Sequence, residues 1–417
     1  MIEKNRENYT KQAAELKSKY EQNATNESIA FNYAEKLFQL GNFVQSQEIL
    51  KPLLENSKAQ YLNTQIEYLN GNYAEAEKLY VALKFSEFKC EAEQGLELVY
   101  YQTGQYSKAK NLSSPSAIGT MMIAFEDKKP YQVEWRGANR AVIPFVAPEP
   151  LPLIEAEIQG IVYNFIIDTG AGDTILDVEL AATLGIEAVS THTGVGAGDA
   201  TATVSYGILD TVVLGEVQLS AVPVIMMPTK PFSAVYNNEV EIHGVIGVGI
   251  LKQFFPIMDY PAKQLMLHCR DKRVPIENAV DVPFVLASTH NIISKGIVNG
   301  RDVSVFMDSG LAVPDVGILL SNDAVRYANI SISEPETVES LSIGGVTEFK
   351  VSDFTVDMFK LGILPETKDL YGFLGVFPES MYFNEKSGFF IDSLVSHAFL
   401  KQYKWAIDFD SMKMIFS

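Results

Sequence analysis

Apolar residues recur at two different periods along this chain, and the change of period divides it. Up to about residue 125 they fall at i, i+3 and i+4, as in FNYAEKLFQL from Phe31, which is the spacing of one helix face. Beyond Leu153 and on to Ser417 the chain is rich in Val, Ile, Phe, Tyr and Thr, punctuated by turn signals. That second pattern predicts short antiparallel strands in sandwiches or barrels. Between the two lies RAVIPFVAPEPLPL, Arg140 to Leu153, which reads as a linker and entry strand because each proline disfavours helix at the residue before it.

The helical part repeats. GNFVQSQEIL begins at Gly41, GNYAEAEKLY at Gly71 and GQYSKAKNL at Gly104, so the spacings are 30 and 33 residues. Each unit reads Gly, a polar residue, an aromatic, two variable residues, then a small residue: Ser46, Ala76 or Ala109. The glycine can end one helix, and the small residue lets the next pack closely against it. These pairs resemble a tetratricopeptide (TPR) array, with a first spacing shorter than the usual repeat. The resemblance implies a concave surface that docks a protein partner or peptide. A bracing role for the same helices stays open beside it.

The β-rich part also repeats. IQGIVYNFIIDTG and VNGRDVSVFMDSG each carry a turn glycine eight residues before an aspartate, Gly160 before Asp168 and Gly300 before Asp308. Farther on, LKQFFPIMDY (Leu251 to Tyr260) matches LKQYKWAIDF (Leu400 to Phe409). Agreement at both ends of two long segments marks an internal duplication. A hairpin turn followed by a strand of fixed length would deliver Asp168 and Asp308 to equivalent places.

A lone Asp-Thr-Gly fits an ordinary turn, since Asp caps its own backbone and Gly accepts φ > 0. Two copies in equivalent positions permit chemistry. Two carboxylates a few ångströms apart cannot both ionise cheaply, so they share one proton and can hold a water between them. One removes a proton from that water as it attacks a peptide carbonyl, while the other protonates the carbonyl oxygen. Gly170 and Gly310 would let the two loops approach, and the hydroxyls of Thr169 and Ser309 could tie them together. The apolar runs Phe165–Ile167 and Val305–Met307 would lower the dielectric around the pair.

On these motifs each copy resembles a unit of the retropepsin-type aspartic proteases, the bacterial and retroviral relatives of pepsin, over about residues 140–417. The implied architecture is multidomain α + β: N-terminal TPR-like helices (1–125), a first mainly-β retropepsin-like barrel lobe (126–275) and a second (276–417). The resemblance implies Asp168 and Asp308 as the catalytic dyad, with Thr169, Gly170, Ala171, Ser309 and Gly310 in the active-site loops. It also implies β-hairpin flaps over a peptide substrate, with Gly194, Gly196 and Gly198 in one candidate and Gly344 and Gly345 in the other. The second copy departs from the family: Leu311 stands where Ala171 does in the first, and Ser393 and Ser396 align with Gly244 and Gly247. A rival alignment uses Gly372 and Gly375 instead. These departures keep two alternatives open: a non-catalytic peptide-binding scaffold, or a protease active only as a homodimer through Asp168.

Composition trims the remaining classes. The 417 residues suit two or three domains, and 33 Lys plus Arg against 52 Asp plus Glu give a net charge of −19, a field that repels nucleic acid. No apolar run reaches membrane-spanning length, and the polar start MIEKNRENYTKQ reads as no signal peptide. The expected compartment is therefore cytoplasmic as the chain stands, or periplasmic or secreted if a leader was trimmed. Cys90 and Cys269 lie far apart, and His192, His243, His268, His290 and His397 lack ligand spacing, so no metal or cofactor is expected. The loop GVGAG (Gly194 to Gly198) lacks the Gly-Lys-Ser/Thr ending of a phosphate site. Asp259 and Asp408 read as turn or cap residues, and Asp173 and Asp177 as helix-start or surface groups.

Overall fold

The structure, a computed structural model, describes residues 5–126, 128–195, 201–342, 345–374, 383–384 and 388–417. Helices come first: α1 (Arg6–Gln22), α2 (Glu27–Gln39), α3 (Phe43–Leu50), α4 (Ser57–Leu69), α5 (Tyr73–Leu83) and α6 (Lys89–Thr103). A 3-10 turn, Tyr106–Asn111, then leads to α7 (Ala117–Ala124). The repeat glycines end α2, α4 and α6 in the same way. Gly41, Gly71 and Gly104 have φ of +74°, +78° and +68°, the left-handed region that glycine enters without strain. The following N–H groups of Asn42, Asn72 and Gln105 donate back to Leu37, Glu67 and Tyr100, satisfying carbonyls the helix end leaves open. Ser46, Ala76 and Ala109 are fully buried where the next element packs. In the third unit that element is the 3-10 turn rather than an α-helix.

The helices lie on the β-rich body as a layer and share its cores. Phe38, Phe43, Leu50 and Leu62 form one apolar cluster with Phe306, Leu319, Phe389 and Leu394. Tyr80, Leu96, Tyr106 and Phe125 form another with Tyr206 and Ala221. Among the described residues no helix is long and apolar enough to cross a membrane.

In the β-rich body the strands Ile161–Ile167 and Arg301–Met307 each follow a two-residue turn with two positive φ values, Gln159–Gly160 and Asn299–Gly300. Such turns match the twist of a hairpin. Each strand then runs parallel to a short one, with Phe165 opposite Gly244 and Val305 opposite Ser393. The two halves merge where their ends meet. Phe254–Asp259 pairs with Trp405–Asp408 through Ile257 opposite Ala406 and Met258 opposite Trp405. Val280–Ala287 and Lys413–Phe416 extend that sheet on one side, and Gln264–Cys269 and Arg140–Pro144 on the other. Asp259 and Asp408 cap the turns that follow, accepting the N–H of Ala262 (3.1 Å) and of Ser411 (3.0 Å) respectively.

One ion pair joins the N-terminal helix to the second half. The Arg6 guanidinium lies 2.5 Å from Asp392 Oδ2, and both side chains are almost wholly buried. The same oxygen accepts the N–H of Ser304 at 2.6 Å, four residues before Asp308 on the strand that leads to it. Burial pushes the Asp392 carboxyl up, and the Arg6 charge opposes that shift. Arg6→Met leaves a buried carboxylate without its cation, which costs ~3–5 kcal/mol in comparable pairs. Removing the cation raises the folded-state value further above the ordinary one. The deficit therefore grows as pH rises, and urea unfolding at pH 8 shows a larger loss than at pH 4.

Candidate active site

Strands deliver the two aspartates, and a reciprocal exchange holds them together. The Thr169 N–H donates to Ser309 Oγ and the Ser309 N–H to Thr169 Oγ1, each at 3.0 Å. The hydroxyls then donate across the interface, Thr169 to the Met307 carbonyl (2.9 Å) and Ser309 to the Ile167 carbonyl (3.3 Å). Both side chains are fully buried, so these bonds are not shared with water.

The glycines allow the approach. A Cβ added at Gly170 would sit 2.7 Å from Asp308 Cγ, and one at Gly310 would sit 2.1 Å from Asp168 Cγ. No side chain fits at either position. The Gly170 N–H donates to Asp168 Oδ1 at 2.6 Å and the Gly310 N–H to Asp308 Oδ1 at 2.9 Å. The carboxyls lie within hydrogen-bonding reach of each other, half-buried between the two halves. Burial raises both above the ordinary 3.8, and Asp308 further, because the Asp168 charge adds to the desolvation. Backbone N–H groups of Gly170, Gly310 and Ala171 hold Asp168 back toward its charged form. Both shifts run toward the protonated form, which favours one proton shared by the pair.

The loops beneath the aspartates match in pairing and differ in length. The N–H groups of Asp168 and Asp308 donate to Ile246 and Val395, and the carbonyls of Ala171 and Leu311 accept from Val248 and His397. Ser393 to Ser396 therefore occupy in the second half the place of Gly244 to Gly247 in the first. Gly372 lies elsewhere, opposite Ile318 and Phe354, and Gly375 is outside the described residues. Length explains how serine fits. Leu176, eight residues after Asp168, faces Gly244, whereas Leu320, twelve after Asp308, faces Ser393. In the tight first loop a Cβ at Gly247 would meet the Asp173 carbonyl at 2.4 Å. In the longer second loop Ser396 Oγ donates to the Val316 carbonyl and its N–H to that of Gly317. Leu311 turns toward the apolar cluster it shares with Phe306 and Leu319. His243 and Asp392 play equal backbone roles, accepting the N–H of Asn164 (3.3 Å) and Ser304 (2.6 Å).

The candidate flap segments form two hairpins, Ser190–Val195 with Thr201–Leu214 and Glu336–Ser342 with Gly345–Leu361. Gly194 pairs with Ala202, and Gly345 with Ser342. Gly196, Gly198 and Gly344 lie outside the described residues. Among the described residues no group of three His, Cys, Asp or Glu side chains is placed to hold a metal ion.

Asp177 caps the helix Val178–Thr183, as its position predicts. Asp173 corrects the sequence reading: it is neither a surface nor a helix-start group. It is buried five residues after Asp168 and accepts hydroxyl bonds from Tyr101 of α6 and from Tyr131, the latter at 2.9 Å. Nothing in the sequence links Asp173 to a tyrosine 72 residues earlier. His290 was equally unremarkable in sequence, yet its ring lies 2.8 Å from where a Gly172 Cβ would be, and burial lowers it to about 4.

Residues 154–250, which contain Asp168 but not Asp308, match the family model described as aspartyl protease. No curated protein matches the chain. Among solved structures it is similar to a retropepsin-like aspartic protease from Rickettsia conorii, at 18% identity and TM-score 0.23, covering 33% of this chain and 94% of that one. It is also similar to Basic 7S globulin from soybean, at 9% identity and TM-score 0.38, covering 69% and 95%.

Thr169→Val keeps the volume but strands the Ser309 N–H and the Met307 carbonyl in a dry interface. A loss of ~1–3 kcal/mol per stranded group is expected in urea unfolding, with Thr169→Ser close to wild type.

Proposed function

We propose that the chain is an aspartic endopeptidase that cleaves extended peptides between its two β-rich halves. The observation that carries this reading is the Thr169–Ser309 exchange, which holds two carboxyls, both raised by burial, against each other. The aspartyl protease match over residues 154–250 supports the first half of the site.

Asp168, the ionised partner, takes a proton from a water held between the carboxyls as that water attacks the scissile carbonyl carbon. Asp308 gives its proton to the carbonyl oxygen, so the tetrahedral diol carries no net charge. Asp168 then passes its proton to the amide nitrogen as the C–N bond breaks, and Asp308 recovers one from the collapsing hydroxyl. The hairpins that carry Gly194 and Gly345 are the candidate flaps that would close over the peptide. Faces of α2 to α6 pack into the lobes, so a partner or substrate docked on the TPR-like layer would use its outward surface.

The scaffold alternative draws on the altered second half, Leu311, Ser393 and Ser396. Ser396 bonds within the longer loop, Ser393 bonds to Ser304 on the adjacent strand and Leu311 packs on the apolar cluster, which favours an intact second half-site. The homodimer alternative requires Asp168 to face its own copy, a place that Asp308 and Ser309 of the same chain fill.

Wild type is expected to cleave members of a peptide library between pH 4 and 8. Asp168→Asn and Asp308→Asn should each lower kcat by ~10²–10⁴-fold. A peptide bearing a tetrahedral hydroxyl at the scissile position should block wild type. Absence of cleavage throughout that range sinks the proposal, and survival of activity in Asp308→Asn points to the homodimer.

The raised carboxyls also make a stability prediction. A raised folded value means the native state binds its proton more tightly than the unfolded chain. That contribution is complete below the ordinary 3.8 and is lost as pH climbs through the raised value. Asp308→Asn removes this loss, so its Tm should exceed wild type at pH 7 and the difference should shrink toward pH 3.

A further inference from the structure

Behind the dyad, the helical layer reaches both halves through two consecutive residues of α6. Tyr101 donates its hydroxyl to Asp173 Oδ1, at the end of the loop that begins with Asp168. Gln102 donates its amide to the Thr289 carbonyl at 2.8 Å, on the turn between strands Val280–Ala287 and Asn291–Val298 of the second half. Tyr68 of α4 donates to the adjacent Ser288 carbonyl. The turn and the loop themselves touch: Thr289 Oγ1 and His290 Nδ1 would lie 3.2 Å and 2.8 Å from a Cβ on Gly172. Helix, loop and turn therefore close a triangle around the point where the halves meet.

A break in the symmetry of the halves shows what this contact supplies. Lys252 and Lys401 are equivalent, each five residues after Gly247 or Ser396. Lys401 pairs directly across the interface with Glu149, at 2.9 Å, on the corresponding turn of the first half. Lys252 faces a turn made of Ser288, Thr289 and His290, which offers no acid. Its ammonium instead donates to Gln102 Oε1 at 2.9 Å and lies over the Tyr101 ring at 4.7 Å. The helical layer stands in for the cross-interface partner that the second half lacks. These contacts are directional polar bonds, buried at Tyr101 and part-buried at Gln102, which resist sliding in a way that apolar packing does not.

We propose that Tyr101 and Gln102 are positioning residues that bracket the two halves and set the placement of the Asp168 loop against Asp308. The helical layer is then part of the catalytic frame. The inference rests on the endopeptidase reading for its kinetic consequence and on geometry alone for its structural one.

Tyr101→Phe and Gln102→Leu are compared in the full chain with Leu83→Ala, a buried change in α5 outside the bracket. With the bracket, each of the first two lowers kcat about tenfold, as a small misplacement of reacting groups does, while KM moves much less. Leu83→Ala lowers Tm without a selective loss of kcat. Tyr101→Phe in an Asp173→Ala background costs no further kcat, because the acceptor of the bond it removes is already gone. Amide exchange over residues 168–173 and 288–290 is followed in the same preparations and accelerates in both segments for either bracket variant. Unchanged exchange in those segments overturns the bracket, as does a kcat loss that merely tracks Tm as in Leu83→Ala. If wild type cleaves no peptide, the endopeptidase reading fails separately, and the exchange result alone upholds or overturns the bracket.

Discussion

The exchange of hydroxyl and N–H groups between Thr169 and Ser309 is the constraint on which the site depends. Each residue satisfies the other's backbone and then donates to a carbonyl on the opposite strand. In a dry interface every one of these groups would be costly to leave unmade, so they make sense only as a complete set. The set dictates that Gly170 and Gly310 lie against the opposite aspartates. That proximity, with burial, pushes both carboxyls above their ordinary value. Backbone geometry thus comes first and the unusual acidity follows from it.

The two halves reach the same arrangement with different means. In the first, glycines at 244 and 247 let a short loop pass close to neighbouring carbonyls. In the second, a loop four residues longer moves away, and Ser393 and Ser396 fill the gained room with hydroxyls bonded to Ser304 and Val316. Substituting glycine by serine looks like decay when one position is compared with another. Seen with the longer loop, it is a compensated change, since volume and hydrogen bonds are both accounted for.

The helical layer follows the same logic at a larger scale. Stacked helix pairs present apolar faces that must be covered. Here those faces meet Phe306, Leu319 and Leu394 on one side and Tyr206 and Ala221 on the other. Polar groups inside that contact, Arg6 with Asp392 and Tyr101 with Asp173, give it a defined register. The layer therefore bears on the halves beneath it, whatever its outward surface binds.

Much of this was legible in the residues alone, because the relevant physics is local. Turn glycines and strand length placed Asp168 and Asp308 at equivalent strand ends, and the Gly-polar-aromatic units marked the helix closures at Gly41, Gly71 and Gly104. The choice between Gly372 and Ser393 was not legible, since it turned on which strand lies beside Arg301–Met307, a pairing across some 90 residues. Asp173 was misread for the same reason. Its partners come from Tyr101 and Tyr131, and no spacing rule connects residues that meet only after separate elements have packed. Sequence by itself determined the chemistry on offer and the elements that carry it. Tertiary structure decided which groups are dry, which are paired and how closely the two carboxyls stand, because burial and hydrogen bonding across elements are properties of the packed chain.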